Sequence, residues 1–97
     1  MNFKLLFTEH ARDELQQLAA PHLQKQYKAV VKTLGLLETN LRHPSLRTHK
    51  YKGSKGLKGA EVFEAYAENS TFKAYRIFWQ YGLPGQALTI LNILPHP

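Results

Sequence analysis

Apolar side chains recur at alternating spacings of four and three residues between positions 23 and 41. The members of this pattern are Leu23, Tyr27, Val30, Leu34, Leu37 and Leu41. The spacing brings all of them onto one face of an α-helix, and charged side chains such as Lys28 and Glu38 lie between them. Fewer than about three heptads is short for a coiled coil. The pattern therefore predicts an amphipathic helix that packs on a sheet and ends near Asn40, because Pro44 prevents its continuation.

The residues before this helix predict a strand and another helix. FKLLF (residues 3–7) is short, apolar and aromatic, which suits a strand. Thr8 follows, and its hydroxyl is a good acceptor for a free amide in the first turn of a helix. Ala11, Leu15 and Leu18 then fall at i, i+4 and i+7, so the helix that begins here has one apolar face.

Three strand-like runs occupy the second half of the chain. EVFEAYA (61–67), FKAYRIFWQY (72–81) and ALTILNIL (87–94) are rich in aromatic and β-branched residues, and turn-forming residues separate them. The order strand, two helices, three strands predicts an α+β fold in which an antiparallel meander completes a small twisted sheet. The length of 97 residues is typical of one domain, and we expect a single domain over residues 1–97.

Between the helices and the meander lies a segment, residues 42–59, that we call the basic segment. It holds six of the 13 Lys and Arg residues and none of the seven acids. The rest of the chain then has seven basic and seven acidic residues, so the net charge of +6 belongs to the basic segment. Such clustering indicates either a surface that binds RNA or DNA, or a solvated loop.

Other classes of function find no support in the composition. The chain has no cysteine, which excludes disulfides and thiolate metal sites, and the five histidines have no spacing typical of a metal site. We therefore expect no metal and no cofactor. The apolar stretch near the N-terminus is too short for a signal peptide or a membrane span, so we expect a cytoplasmic protein without a membrane partner.

Four stretches, together with the order of elements, resemble the RelE/ParE superfamily of toxins from bacterial type II toxin–antitoxin systems. They are FTEHARDEL, HPSLRTHKYKG, VFEAYAENSTFKAYRIFW and ILNILPHP, and the resemblance extends over essentially the whole chain. Within the superfamily, the chain most resembles a RelE-like subgroup of cytotoxic translational repressors. The resemblance implies a sheet with a basic concave face and two helices on the other side.

The resemblance also implies a function. RelE-type toxins cleave mRNA on the ribosome without a metal, and a cognate antitoxin neutralises them, sometimes in a complex that binds operator DNA. Two alternatives stay open: a ParE-like inhibitor of DNA gyrase, and a degenerate toxin that only binds its antitoxin or nucleic acid.

Metal-free RNA cleavage needs a base for the ribose 2′-hydroxyl, positive charge for the phosphorane and an acid for the leaving oxygen. By the resemblance, Arg76 contacts the scissile phosphate, Lys50 and Lys52 bind phosphate or activate the hydroxyl, and His96 transfers protons. The residues also allow plainer interpretations. Arg76 is placed to form a cross-strand ion pair with Glu64, the lysines form a solvated ribbon, and His96 is a terminal residue without a role.

Further residues are expected to support the site. Arg47, His49, Lys55 and Lys58 are candidates for nucleic-acid binding, and Glu64 for orienting Arg76. For His49, proton transfer and a solvated side chain without a role stay open as alternatives. RelE-like nucleases often carry an arginine on the strand after the basic segment, where this chain has Ala65 and Tyr66. Tyr66 is therefore a candidate replacement for it.

Overall fold

In the computed structural model, which describes residues 2–68, 73–82 and 85–95, the chain begins with strand β1 (Lys4–Phe7) and helix α1 (Glu9–Gln17). Thr8 is the N-cap of α1, and its side-chain oxygen accepts a hydrogen bond of 3.1 Å from the amide of Ala11. The predicted strand, cap and helix are therefore confirmed.

The periodic stretch forms helix α2 (Gln24–Thr39), which follows a short 3₁₀ turn at Pro21–Leu23. Its buried side chains are Val30, Thr33, Leu34 and Leu37. The predicted apolar face is therefore buried from Val30 to Leu37, whereas Tyr27, which the pattern also assigned to it, is exposed. The helix ends where Asn40 was expected to end it. Among the described residues, no helix is long and apolar enough to cross a membrane.

The meander consists of strands β3 (Val62–Tyr66), β4 (Tyr75–Gly82) and β5 (Ala87–Pro95), and its antiparallel pairing is as predicted. β1 joins the other side of β5 in parallel. A fifth strand, β2 (His49–Tyr51), pairs antiparallel with β3 at the opposite edge, so the sheet order is β1-β5-β4-β3-β2. The α+β prediction is confirmed, with β2 as an addition that lies inside the basic segment.

The two faces of the sheet differ in their surroundings. One face packs against the helices through a core that includes Ile77, Trp79, Ile90 and Ile93. Because side chains alternate along a strand, Arg76 and Phe78 of β4 project from the other face, which we call the open face. A register shift interrupts the alternation along β5, where Asn92 is the cross-strand partner of Phe78. The open face carries the polar and aromatic side chains of the candidate site.

Candidate nucleic-acid interface

Two cross-strand rows of side chains define the centre of the open face. In the first row, the Cα partners across four strands are His49, Glu64, Phe78 and Asn92. In the second row, Tyr66 lies opposite Arg76, and Arg76 lies opposite Leu94. The register of the sheet thereby brings residues together that are more than forty positions apart in the sequence.

Glu64 is the centre of a buried network of charges. Its Oε2 accepts a hydrogen bond of 3.0 Å from Nη1 of Arg76, and its Oε1 lies 2.8 Å from Nε2 of His49. The side chains of Arg76 and Glu64 are only 6% and 8% exposed, whereas that of His49 is 46% exposed. A buried carboxylate of this kind needs cationic partners, because its desolvation is otherwise unfavourable. The predicted Arg76–Glu64 pair is therefore present, and His49 extends it to the surface.

His49 is held at both ring nitrogens. Its Nδ1 lies 2.8 Å from the backbone carbonyl oxygen of Arg47, and its Nε2 faces the Glu64 carboxylate. A carbonyl oxygen and an ionised carboxylate both accept hydrogen bonds only. Both contacts are hydrogen bonds at once when the ring carries a proton on each nitrogen. The site therefore presents a half-exposed imidazole whose two ring nitrogens both have an acceptor within hydrogen-bond distance.

Tyr66 packs against both arginines of the site. The Cζ atom of Arg76 lies 3.9 Å from the centre of the Tyr66 ring, and Cζ of Arg47 lies 5.5 Å from it. The ring of His49 is 5.9 Å away in an edge-on arrangement. Such cation–π contacts favour the guanidinium groups where they are. Tyr66, at the position where the resemblance anticipates an arginine, thus supports two arginines from elsewhere. We call Arg47, His49, Glu64, Tyr66 and Arg76 the Glu64 cluster.

The two lysines that were expected to act together lie on either side of the end of β2, and both line one shallow pocket with Glu61. Lys50 alternates with His49 along β2, so its side chain projects from the opposite side of the sheet to the Glu64 cluster. Its Nζ lies 3.2 Å from Oε2 of Glu61, and both side chains are mostly exposed. Lys52 lies beyond the end of β2, in the turn. The expected common direction of Lys50 and Lys52 requires an extended chain through both residues, and β2 ends at Tyr51.

The remaining expected residues lie around the cluster or outside the described parts of the chain. Lys55 and Lys58 are exposed in the loop between β2 and β3, and neither forms an ion pair with any residue in the described ranges. Lys52 is likewise exposed without such a partner there. His96 lies outside the described residues. Lys52 and Lys55 form a positive rim beside the open face, and Glu61 lines the same pocket as these two lysines.

Some electrostatic features lie away from the cluster. Burial raises the pKa of the Tyr75 phenol, and the nearby carboxylates of Glu68 and Glu14 raise this pKa further. Tyr75 lies on the side of β4 that packs with the core, so its neutral ring belongs to the fold. Among the described residues, no three His, Asp or Glu side chains are grouped closely enough to hold a metal ion.

The chain was compared with protein families, with curated proteins and with solved structures. No protein-family model matches the chain, and no curated protein matches it by sequence. Solved structures do match. A YoeB/ParE toxin from Agrobacterium tumefaciens superposes with a TM-score of 0.72 at 13% identity, over 98% of this chain and 100% of that one.

Two further matches are toxins in complexes. For the archaeal RelE–RelB complex from Pyrococcus horikoshii the TM-score is 0.66 at 16% identity, with 98% of this chain and 96% of the other covered. For the E. coli DinJ–YafQ toxin–antitoxin complex it is 0.65 at 14% identity, with 99% and 94% covered. The chain therefore has the fold of the RelE/ParE superfamily of toxins, and the resemblance drawn from its motifs is confirmed at the level of the fold.

Proposed function

We propose that this protein is the toxin of a type II toxin–antitoxin module and acts as a metal-independent, ribosome-dependent mRNA endoribonuclease. The observation that carries the proposal is His49, a half-exposed imidazole fixed by the buried Glu64–Arg76 pair beside a rim of lysines. The fold supports it, because its structural neighbours include RelE and YafQ toxins. Those neighbours were solved with RelB and DinJ, which favours a cognate antitoxin as a partner here too.

In the proposed reaction, the ribose 2′-oxygen attacks the adjacent phosphorus while the bond from phosphorus to the 5′-oxygen breaks. The 2′-hydroxyl loses its proton to a base, and the 5′-oxygen gains a proton from an acid. The products are a 2′,3′-cyclic phosphate and a 5′-hydroxyl end. Each proton transfer by a positioned side chain contributes about 10²- to 10⁴-fold.

His49 is the proposed acid. Its Nδ1 lies against the neutral carbonyl of Arg47, so a leaving oxygen can take the place of that acceptor without a change in the ring's orientation. Nε2 remains on Glu64, which stabilises the ring's orientation. His96, which the resemblance marks for proton transfer, takes the role of base in this scheme.

Arg76 is assigned a different role from the one the resemblance implies. Its side chain is 6% exposed and bonded to Glu64, which leaves little surface for a phosphate. We assign it as a positioning residue that holds the Glu64 carboxylate in place beside His49. Lys52, Lys55 and Lys58 on the exposed loop are then the proposed phosphate-binding residues. The proposed substrate is mRNA on the ribosome.

Mapping of 5′ ends on an mRNA in a reconstituted translation system tests this proposal. We expect cuts that require the ribosome, and a loss of at least about a hundredfold in cleavage rate for His49→Gln, as for loss of a general acid. His22→Gln, which changes an exposed histidine before α2, is the matched control and should cleave as the wild type does. His96→Gln tests the proposed base in the same assay.

Two results contradict the proposal. Folded wild-type protein that makes no cut on ribosomes excludes the nuclease, and inhibition of DNA supercoiling by gyrase would then favour the ParE-like alternative. Cleavage that His49→Gln leaves unchanged removes His49 from the reaction. Growth arrest that a co-expressed neighbouring gene relieves is the expected sign of the antitoxin, and operator DNA is expected to bind only the joint complex.

A further inference from the structure

A groove with a volume of about 480 Å³ lies on the open face, next to the Glu64 cluster. It is bounded by the start of α1, by β4 and β5, and by the loop after β2. Apolar and aromatic side chains make up much of its lining, namely Tyr51, Leu57, Phe78 and Leu94. The volume is in the range of sites that hold small organic ligands, roughly 300–1,000 Å³.

The groove begins one strand away from the proposed reaction centre. Phe78, in its lining, is the cross-strand partner of Glu64, and Leu94 is the partner of Arg76. Neighbouring strands are about 4.8 Å apart. A nucleotide whose phosphate lies at His49 therefore has the groove within reach of an adjacent base.

The chemistry of the lining fits a flat aromatic group on an anionic chain. The rings of Tyr51 and Phe78 meet edge to face with their centres 5.0 Å apart, and Tyr51 remains 39% exposed. Lys55 lies at the rim, and no carboxylate belongs to the described residues that line the groove. Aromatic rings beside lysines are the usual means of binding single-stranded nucleic acid, since bases stack and phosphates are attracted.

Asn92 supplies a polar group that can read the edge of a base. It lies in the same cross-strand row as Phe78 and lines the groove. Its Nδ2 lies 3.5 Å from Oε1 of Glu14, which is long for a hydrogen bond, so the carboxamide keeps most of its bonding capacity. An asparagine amide matches adenine, because it can accept from N6 and donate to N7 together.

We propose that this groove is a subsite for a nucleobase of single-stranded RNA, in which the base stacks on Tyr51 and Phe78 and Asn92 favours adenine. The inference rests on the proposed function, since it names the part of the RNA that the nuclease would hold beside the scissile phosphate. In this proposal, contacts within the groove determine which RNA base the protein prefers.

Binding of short RNAs that cannot be cleaved tests the subsite without the ribosome. The probes are fluorescently labelled 2′-O-methyl hexanucleotides of A, C or U, measured by anisotropy at one fixed salt concentration. We expect the A probe to bind most tightly, and Tyr51→Leu to weaken its binding about tenfold, as for loss of one stacked base. Asn92→Ala should bring the A and C probes to equal affinity.

Two variants guard against misfolding as the cause. Gly53→Ala keeps the Tyr51 side chain but displaces its ring, because a Cβ at residue 53 would come within 2.5 Å of Tyr51 Cζ. It should weaken the A probe as Tyr51→Leu does. Tyr27→Leu, on the exposed surface of α2, should leave binding unchanged. Thermal unfolding confirms that each variant is folded.

The outcomes separate the inference from the proposed function. Equal binding of the A probe by wild type, Tyr51→Leu and Gly53→Ala overturns the subsite, as does failure of folded wild type to bind any probe. Ribosomal cleavage that persists in those cases leaves the nuclease intact. Selective binding of the A probe that depends on Tyr51 and Asn92, without ribosomal cleavage, supports the subsite and contradicts the nuclease.

Discussion

At the scale of single residues, Glu64 is expected to contribute strongly to stability because its carboxylate is buried between two partners. It is the shared partner of a buried guanidinium and of His49, with contacts of 3.0 and 2.8 Å. Glu64→Gln leaves the Arg76 charge buried without a counter-ion. Removal of one partner from a buried pair typically costs about 3–5 kcal/mol. We expect a loss of this size in the free energy of unfolding, measured by urea denaturation.

Glu61→Gln is the matched control for this change. Glu61 pairs with Lys50 at 3.2 Å, but its side chain is 57% exposed and that of Lys50 is 63% exposed. Exposed pairs contribute about 0–1 kcal/mol, because water and salt screen them. A similar loss in both variants would show that burial of the Glu64 cluster is not the cause, and a negligible loss in Glu64→Gln would contradict the importance of the pair.

At the scale of elements, alanine substitutions at two glycines are expected to change stability in opposite directions. Gly35 lies inside α2, and a Cβ placed there meets nothing within 4 Å. Gly35→Ala should therefore stabilise the protein by about 0.5–1 kcal/mol, the difference between the two residues in a helix interior. Urea denaturation measures this gain as a shift of the unfolding midpoint to a higher urea concentration. An unchanged or lower midpoint would show that α2 does not tolerate the methyl group.

Gly56 is the contrasting case, in the loop between β2 and β3. The amide of Leu57 donates a hydrogen bond of 2.7 Å to Oε1 of Gln80 on β4, and this bond fastens the loop to the sheet. A Cβ at Gly56 would overlap with that same Oε1 atom. Gly56→Ala should therefore lower the urea midpoint, and amide hydrogen exchange at Leu57 should become faster.

The helices and the meander were predictable because their patterns are local. The apolar face of α2 and the alternation along β3 and β4 give each element its buried side, and they place Glu64 and Arg76 on one face. β2 was not predictable in this way. It has three exposed residues and no apolar pattern, and it follows Arg47, whose left-handed backbone (φ 49°) turns the chain after Pro44–Leu46.

The sequence does not reveal the part of the site that depends on β2. The contact of His49 with Glu64 depends on the register between β2 and β3, which no local pattern determines. For the same reason the sequence alone does not show that β2 ends at Tyr51, between Lys50 and Lys52. From the sequence, His49 is a candidate for nucleic-acid binding or proton transfer, with a solvated side chain as the alternative, and its two hydrogen bonds make it the proposed acid.

At the scale of the whole molecule, the positive charge is unevenly placed. The basic segment accounts for the net charge of +6. Among the described residues, Lys50 is the only lysine of this segment that forms an ion pair, and its partner is Glu61. Such a surface attracts a polyanion over a longer distance than any single contact. Outside the basic segment the numbers of basic and acidic residues are equal, so the rest of the chain adds no net charge to this attraction.

This asymmetry makes a quantitative prediction about salt. Each phosphate neutralised on single-stranded nucleic acid adds about 0.7 to the slope of log affinity against log salt concentration, because counterions are released. If Lys52, Lys55 and Lys58 each neutralise one phosphate, their joint replacement by Gln should reduce the slope by about 2. The measurement is anisotropy of a labelled 2′-O-methyl RNA over a salt series.

A control with the same total charge makes the test specific for position. Replacing Lys4, Lys25 and Lys28 by Gln also removes three charges from +6, and all three lysines are exposed on other elements. If only net charge mattered, both triple variants would lose affinity and slope equally. If the basic segment holds the phosphate chain, the control should keep nearly the wild-type slope, because screening at 0.15 M salt limits the effect of distant charges to about 8 Å.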